Sequence, residues 1–110
     1  MFVGLFNIMM KTIDYKLWQT DDENQEFLSF KESRFDFSRY TLKYEGTLTV
    51  ENEKEDLHAL EELFFLLNCM HPADYKTRSL SMSDVIEINN NYYYCDTFGW
   101  KKLSPELLGR

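Results

Sequence analysis

The chain has 110 residues, of which 44% are hydrophobic and 16% aromatic, enough apolar surface for one core and too little length for two ordinary domains. Nineteen acids against 12 basic residues give a formal charge of −7, which repels phosphate backbones and anionic membrane surfaces and argues against direct DNA binding. The same surplus suits docking onto a basic protein surface, such as a nucleic-acid channel.

The leading run MFVGLFNIMM lacks a basic segment before it and a small-residue cleavage site after it, and it is too short to span a membrane. Residues 1–12 read as a leading strand or an extension, residues 13–110 as a single domain, and the cytoplasm as the location. Ile13, Tyr15 and Leu17 alternate with polar neighbours, the period of a strand with one buried face. The polar cluster TDDENQE then predicts a turn or loop, with no apolar residue to hold it inside. In FLSFKESRFDF the aromatic spacing fits neither template, and a strand with an irregular segment or a short helix both stay open.

YTLKYEGTLTV predicts a strand with Tyr40, Leu42 and Tyr44 on one face, and Gly46 suggests a bulge or bend. Asn52 followed by Glu55 has the form of a helix cap. Leu57, Leu60, Leu63, Phe64 and Leu67 then recur at helical spacing and predict a helix from Glu53 to Asn68. Phe65 and Leu66 lie off that stripe, so this half is covered on more than one side or presents a binding patch. His71-Pro72 ends the helix, where the imidazole can meet its last carbonyls. After the connecting loop ADYKTRSLSMS, VIEI and the strand from Tyr92 to Phe98 form a hairpin about Asn89-Asn90-Asn91, and Gly99 allows a second turn. The whole reads as α+β, a mainly antiparallel sheet with one long helix packed on one face.

Chemistry-bearing residues are few. Cys69, His71, Cys95 and His58 do not have zinc spacing, so neither a metal nor another cofactor is expected, and the two cysteines read as free thiols. Cys95 lies mid-strand without a base or nucleophile elbow. A metal-dependent nuclease centre from Asp84, Glu87 and Asp96 is an alternative, but Asp84 and Glu87 point to opposite faces of a strand. Asp84 reads better as an acceptor for backbone donors in SMSD. Tyr92, Tyr93 and Tyr94 could stack on bases, yet no basic surround accompanies them. The pronounced electrostatic features are acidic: Asp21, Asp22 and Glu23, and the run Glu51, Glu53, Glu55 and Asp56 continuing to Glu61 and Glu62.

The segment from Asp56 to Ile88, with its His-Pro loop and SLSMSDV, followed by YCDTFGW from Tyr94 to Trp100, resembles the YodL-like domain family. LWQ near Trp18 is similar to that domain's first strand, and the resemblance runs from Ile13 to Leu103. The short asparagine turn and the apolar extension depart from the pattern. The resemblance makes Ser81, Ser83, Asp84, Asp96, Phe98 and Gly99 the motif residues, with serines and Asp84 tying down backbone at strand entry, Asp96 capping the turn and Gly99 opening a conformation closed to other residues. It also implies a setting on plasmids and conjugative elements of Gram-positive bacteria, with no established enzymatic activity. The expected function is therefore a non-enzymatic anti-defence protein, similar in setting to anti-CRISPR proteins. Its acids would engage a basic nucleic-acid-binding protein, with a type II CRISPR effector, Cas9 or its guide complex, as first suspect. A small nuclease acting on guide RNA and a structural adaptor of a conjugation complex are the alternatives.

Overall fold

The computed structural model describes residues 9–110; Met1–Ile8 of the leading run lie outside them. Strands β1 (Met10–Gln19), β2 (Thr41–Glu51), β3 (Val85–Ile88), β4 (Asn91–Asp96) and β5 (Gly99–Lys102) and one helix, α1 (Asp56–Cys69), make the fold, with single-turn 3-10 helices at Phe37–Arg39 and Pro105–Leu108. The sheet order is β2-β1-β3-β4-β5 with every pair antiparallel, so the α+β expectation holds. Met10, Lys11 and Thr12 pair with Glu51, Val50 and Thr49. These three residues of the leading segment are therefore strand.

Alternation along the strands sends side chains to two faces, and both are covered. On one face Ile13, Tyr15, Leu17, Val50, Ile86 and Ile88 pack under Ala59, Leu60, Leu63 and Leu67 of α1, with Tyr75 and Leu80 from the connecting loop. On the other, Val85, Tyr92, Tyr94 and Leu103 pack with Tyr40 under Phe30, Phe35 and Phe37. Phe30 and Phe35 meet Tyr94 edge-on, with centroids 5.2 and 5.7 Å away. Such pairs contribute about 1 kcal/mol each beyond simple burial. The segment between β1 and β2, whose aromatic spacing fits neither template, thus works as a lid made of turns.

Several local expectations change. The helix starts at Asp56 rather than Glu53, because the Asn52 amide donates to Met9 O and prolongs the ladder, and Lys54 N closes a turn on Glu51 O. Glu55 is the cap residue and makes no side-chain capping bond. Asp56 instead fixes the helix start by accepting from Tyr93 Oη and from the side-chain Nδ2 groups of Asn89 and Asn91. The buried stripe is Ala59, Leu60, Leu63 and Leu67, while Leu57 and Phe64 are 55% and 45% exposed. At the far end His71 Nε2 lies 2.7 Å from Leu67 O, as the spacing suggests.

The hairpin turn is two residues, not three. Asn89 and Asn90 take φ of 51° and 64°, and Asn91 pairs with Ile88 as the first residue of β4. Positive φ at both central positions matches the twist of the flanking strands. The register shift in β2 falls at Lys43, where Leu17 pairs with Tyr44 and Trp18 with Leu42, so Leu42 and Tyr44 face opposite sides. Gly46 is not the bulge. It sits directly opposite Tyr15, and a Cβ there would lie 2.7 Å from the phenol oxygen and 2.8 Å from Cζ. The glycine leaves room for a ring that is itself buried in the core. Gly46→Ala is expected to destabilise the fold by about 1–3 kcal/mol, read as a lower urea midpoint, since neither the sheet backbone nor the packed ring can yield freely.

Candidate functional site

The SLSMSDV segment gathers a polar cluster, a clasp, around Asp84, whose side chain is fully buried. Its Oδ2 accepts from Gln19 Nε2 at 2.9 Å, Arg78 Nη1 at 3.0 Å and the Ser81 amide at 2.8 Å; its Oδ1 accepts from Arg78 Nη2 at 2.9 Å. Thr77 Oγ1 holds the other end of Gln19 at 2.7 Å. Burial pushes the Asp84 carboxyl above the usual carboxylate range, and the hydrogen bonds from Arg78 and Gln19 pull it back. Arg78 also reaches the lid, with its guanidinium 4.8 Å over the Phe27 ring and Nε 3.7 Å from Glu26.

Ser83 works beside it. Its φ of 86° is unusual for a residue with a Cβ, and three bonds hold it there. Its amide donates to Cys95 O at 2.8 Å, its carbonyl accepts from Tyr40 Oη at 2.6 Å, and its Oγ accepts from the Phe27 amide at 2.9 Å. Asp96 accepts from the amides of Thr97 and Phe30 at 2.8 and 3.1 Å. It therefore caps the β4–β5 turn and also binds the lid. Gly99 has φ of 91° and faces open space. Ser81 serves more locally, its hydroxyl donating to Ser79 O at 3.2 Å.

Of the motif residues, Phe98 alone has no role in this clasp: it stands 97% exposed at the tip of the β4–β5 turn. The acids considered for a nuclease are committed separately, Asp84 to Arg78, Glu87 to Trp18 Nε1 at 3.2 Å and Asp96 to two amides. Among the described residues no group of three or more His, Cys, Asp or Glu side chains is placed to hold a metal ion.

The acidic residues fall into separate groups. Asp21, Asp22 and Glu23 follow the Gln19 end of β1, whereas Glu51 pairs with Met10 at the other end and leads into α1. A ten-residue strand separates the two groups by roughly 30 Å. Asp22 is turned inward, holding Gln25 Nε2 at 2.9 Å and the Asn24 amide at 3.2 Å, which keeps its carboxyl below the usual range. Asp56 is committed to the hairpin. Glu51 lies 4.0 Å from Lys54, and Glu62 lies 3.0 Å from His58. Glu53 and Glu55 are exposed just ahead of α1 with Lys54 between them, and Glu61 and Glu62 are exposed on the helix, which itself carries no lysine or arginine.

Sequence reasoning missed Arg78, Gln19 and Gln25. Gln25 is fully buried and accepts from the Asp36 amide at 2.8 Å, so the polar cluster after β1 is held inside by an amide rather than by an apolar residue. The one available signal was an arginine six residues before a motif aspartate.

The pattern of the YodL-like domain matches residues 9–105, nearly the whole chain and the whole of the clasp. The chain belongs to the YodL-like domain family. No curated protein and no solved structure matches it. In this YodL-like domain no helix of the described residues is long and apolar enough to cross a membrane.

Two outcomes test the clasp. Arg78→Ala should destabilise the domain by about 3–5 kcal/mol at neutral pH, because it strands a buried carboxylate. The loss should shrink in acid, since without the guanidinium the Asp84 carboxyl titrates still higher and the neutral acid tolerates burial; urea titrations at neutral and acid pH read this. Burial pushes the Cys95 thiol up to about 12, while Cys69 is exposed. Iodoacetamide at mildly alkaline pH should therefore alkylate Cys69 in the native protein and Cys95 only after denaturation, as intact mass will record.

Proposed function

We propose that this YodL-like domain is a non-enzymatic anti-defence protein that binds a host nucleic-acid-guided nuclease and blocks its nucleic-acid channel. The observation that supports it is the outward side of α1. Phe65, 56% exposed, stands between Glu61 and Glu62 over a groove of about 430 Å³ that α1 forms with Leu48 of β2. An exposed aromatic flanked by two acids, of which Glu62 also meets His58 at 3.0 Å, suits a basic channel, the ring serving as anchor and the carboxylates standing in for phosphates. Glu53 and Glu55, exposed on either side of Lys54 ahead of the helix, would add further carboxylates to the contact. Asp21 and Glu23, at the other end of the sheet, would reach a second contact on a partner at least as long as this domain.

The plasmid and conjugative-element setting implied by the family resemblance makes a host defence nuclease the class of target. A type II CRISPR effector is the first to try. Binding to the effector–guide complex should weaken at least tenfold between low and high salt, because exposed ion pairs are screened beyond about 10 Å. Phe65→Ala combined with Glu61→Lys and Glu62→Lys should release target-DNA cleavage from inhibition, while the circular dichroism spectrum stays unchanged. Guide RNA incubated with the protein and magnesium or manganese should stay intact. Salt-independent affinity, or cut RNA, would count against this reading.

A further inference from the structure

The sheet ends differently on its two sides. Strand β5 is four residues long and carries Lys101 and Lys102, a common means of closing an edge to further strands. Strand β2, on the other side, runs from Tyr44 to Glu51 in unbroken register with β1 and holds no proline. The Asn52 amide donates to Met9 O within the pair that extends this ladder, and bonded pairs alternate with unbonded ones, so Val50, Leu48, Gly46 and Tyr44 are the residues of β2 that bond to β1. By the same alternation the amides and carbonyls of Glu45, Thr47 and Thr49 point away from β1. Among the described residues none of these groups has a hydrogen-bond partner.

We propose that this edge takes up an extended, lysine- or arginine-bearing segment of a partner protein as a further strand. The added strand lies about 4.8 Å beyond β2 and places its residue opposite Leu48 on the α1 side, since directly opposed residues share a face. That position opens on the groove between Leu48 and α1, where Phe65 and Leu66 meet the apolar part of a side chain and Glu61 and Glu62 meet a charged end. Residues on the other side of the strand stand beside Glu45, Thr47, Thr49 and Glu51.

Charge selects the occupant. Tyr44–Cys69, the stretch that forms this edge and the helix over it, carries seven acids and one lysine. Lys16, opposite Glu45 in β1, and Lys43, at the register shift, make no ion pair with it among the described residues. A second copy of the edge would set these acids against one another, whereas a basic strand meets them with opposite sign. Main-chain bonds then supply affinity, and the acids choose the partner. The inference rests on the reading of the Leu48–Phe65 groove as the partner surface and adds the form in which the partner arrives.

A peptide of about ten residues alternating lysine and valine is the probe, because as a strand it has one basic and one apolar face. In the free full chain the Glu45, Thr47 and Thr49 amides should exchange with solvent about a hundredfold faster than those of Gly46 and Leu48. Saturating peptide should slow these three by about tenfold or more, as amide exchange followed by NMR reads. The matching peptide of glutamate and valine should leave them unchanged. Thr47→Pro removes an outward amide and no ladder bond, so it should keep the thermal midpoint nearly unchanged and weaken lysine–valine binding by about tenfold or more. Thr47→Val, which keeps the amide, should bind as the native protein does. Amides already protected in the free chain would overturn the inference. So would a lysine–valine peptide that fails to bind, that binds without slowing them, or that binds Thr47→Pro equally well. Effector binding that Thr47→Pro leaves untouched would overturn it while sparing the assignment of Phe65. Peptide held on the edge by a protein with no hold on any effector would support it and reject the effector instead.

Discussion

The fold depends on one buried ion pair. Asp84 is sealed from water at the entry to β3, and Arg78, Gln19 and the Ser81 amide account for its oxygens. An isolated carboxylate in that position would be prohibitively costly, so the approach to β3 must pass where the guanidinium reaches it. That requirement fixes the connecting loop against the end of β1. It also puts Arg78 beside Phe27 and Glu26, the first turn of the lid, so one pair anchors three segments far apart in sequence.

The lid explains why such an anchor is needed. Between Thr20 and Tyr40 the chain forms no strand and only a single turn of 3-10 helix, so no ladder of backbone bonds holds it on the sheet. It is attached instead by the amides of Phe27 and Phe30 donating to Ser83 and Asp96, by Tyr40 donating to the Ser83 carbonyl, and by Tyr94 donating to Leu28 O at 2.7 Å. Each attachment replaces a hydrogen bond to water that burial of the aromatics removes. With lid and helix on opposite sides, the short β3 is buried on both faces. This accounts for the nearly continuous apolar run Val85, Ile86 and Ile88 in a wholly antiparallel sheet.

How far the fold was legible in the sequence follows from the range of the interactions. The asparagine turn and the existence of α1 are decided by neighbours within four residues, and pattern reading found both, though it made the turn one residue too long. The helix start went astray because Asn52, a good cap by type, was claimed by the β1–β2 ladder. The stripe of α1 was misassigned at Leu57 and Phe64 because spacing shows that a face is apolar without showing what covers it. The Gln19–Asp84–Arg78 contacts and the burial of Gln25 had no local signal. Their partners stand up to 65 positions apart, and their types are those ordinarily found in solvent. Acid content was legible as a total, but its division by a ten-residue strand required the topology.

The YCDTFGW segment carries both kinds of information within four residues. Asp96 is explained by the lid and turn amides it binds, and Gly99 by its backbone angle; substituting either would disturb the scaffold whatever the protein does. Phe98 between them has no such account, since removing a ring that is almost wholly in water leaves every internal contact in place. The same division separates Leu63 from Phe65 on α1, one sealed against the sheet and the other standing among acids. Side chains that the fold does not need, and that water does not favour, are where binding can act without loss of stability. In this domain Leu57, Phe64 and Phe65 on the two flanks of one helix and Phe98 on the turn beside it are among them. Function is therefore to be sought on that surface, while the motif acids serve to hold it in place.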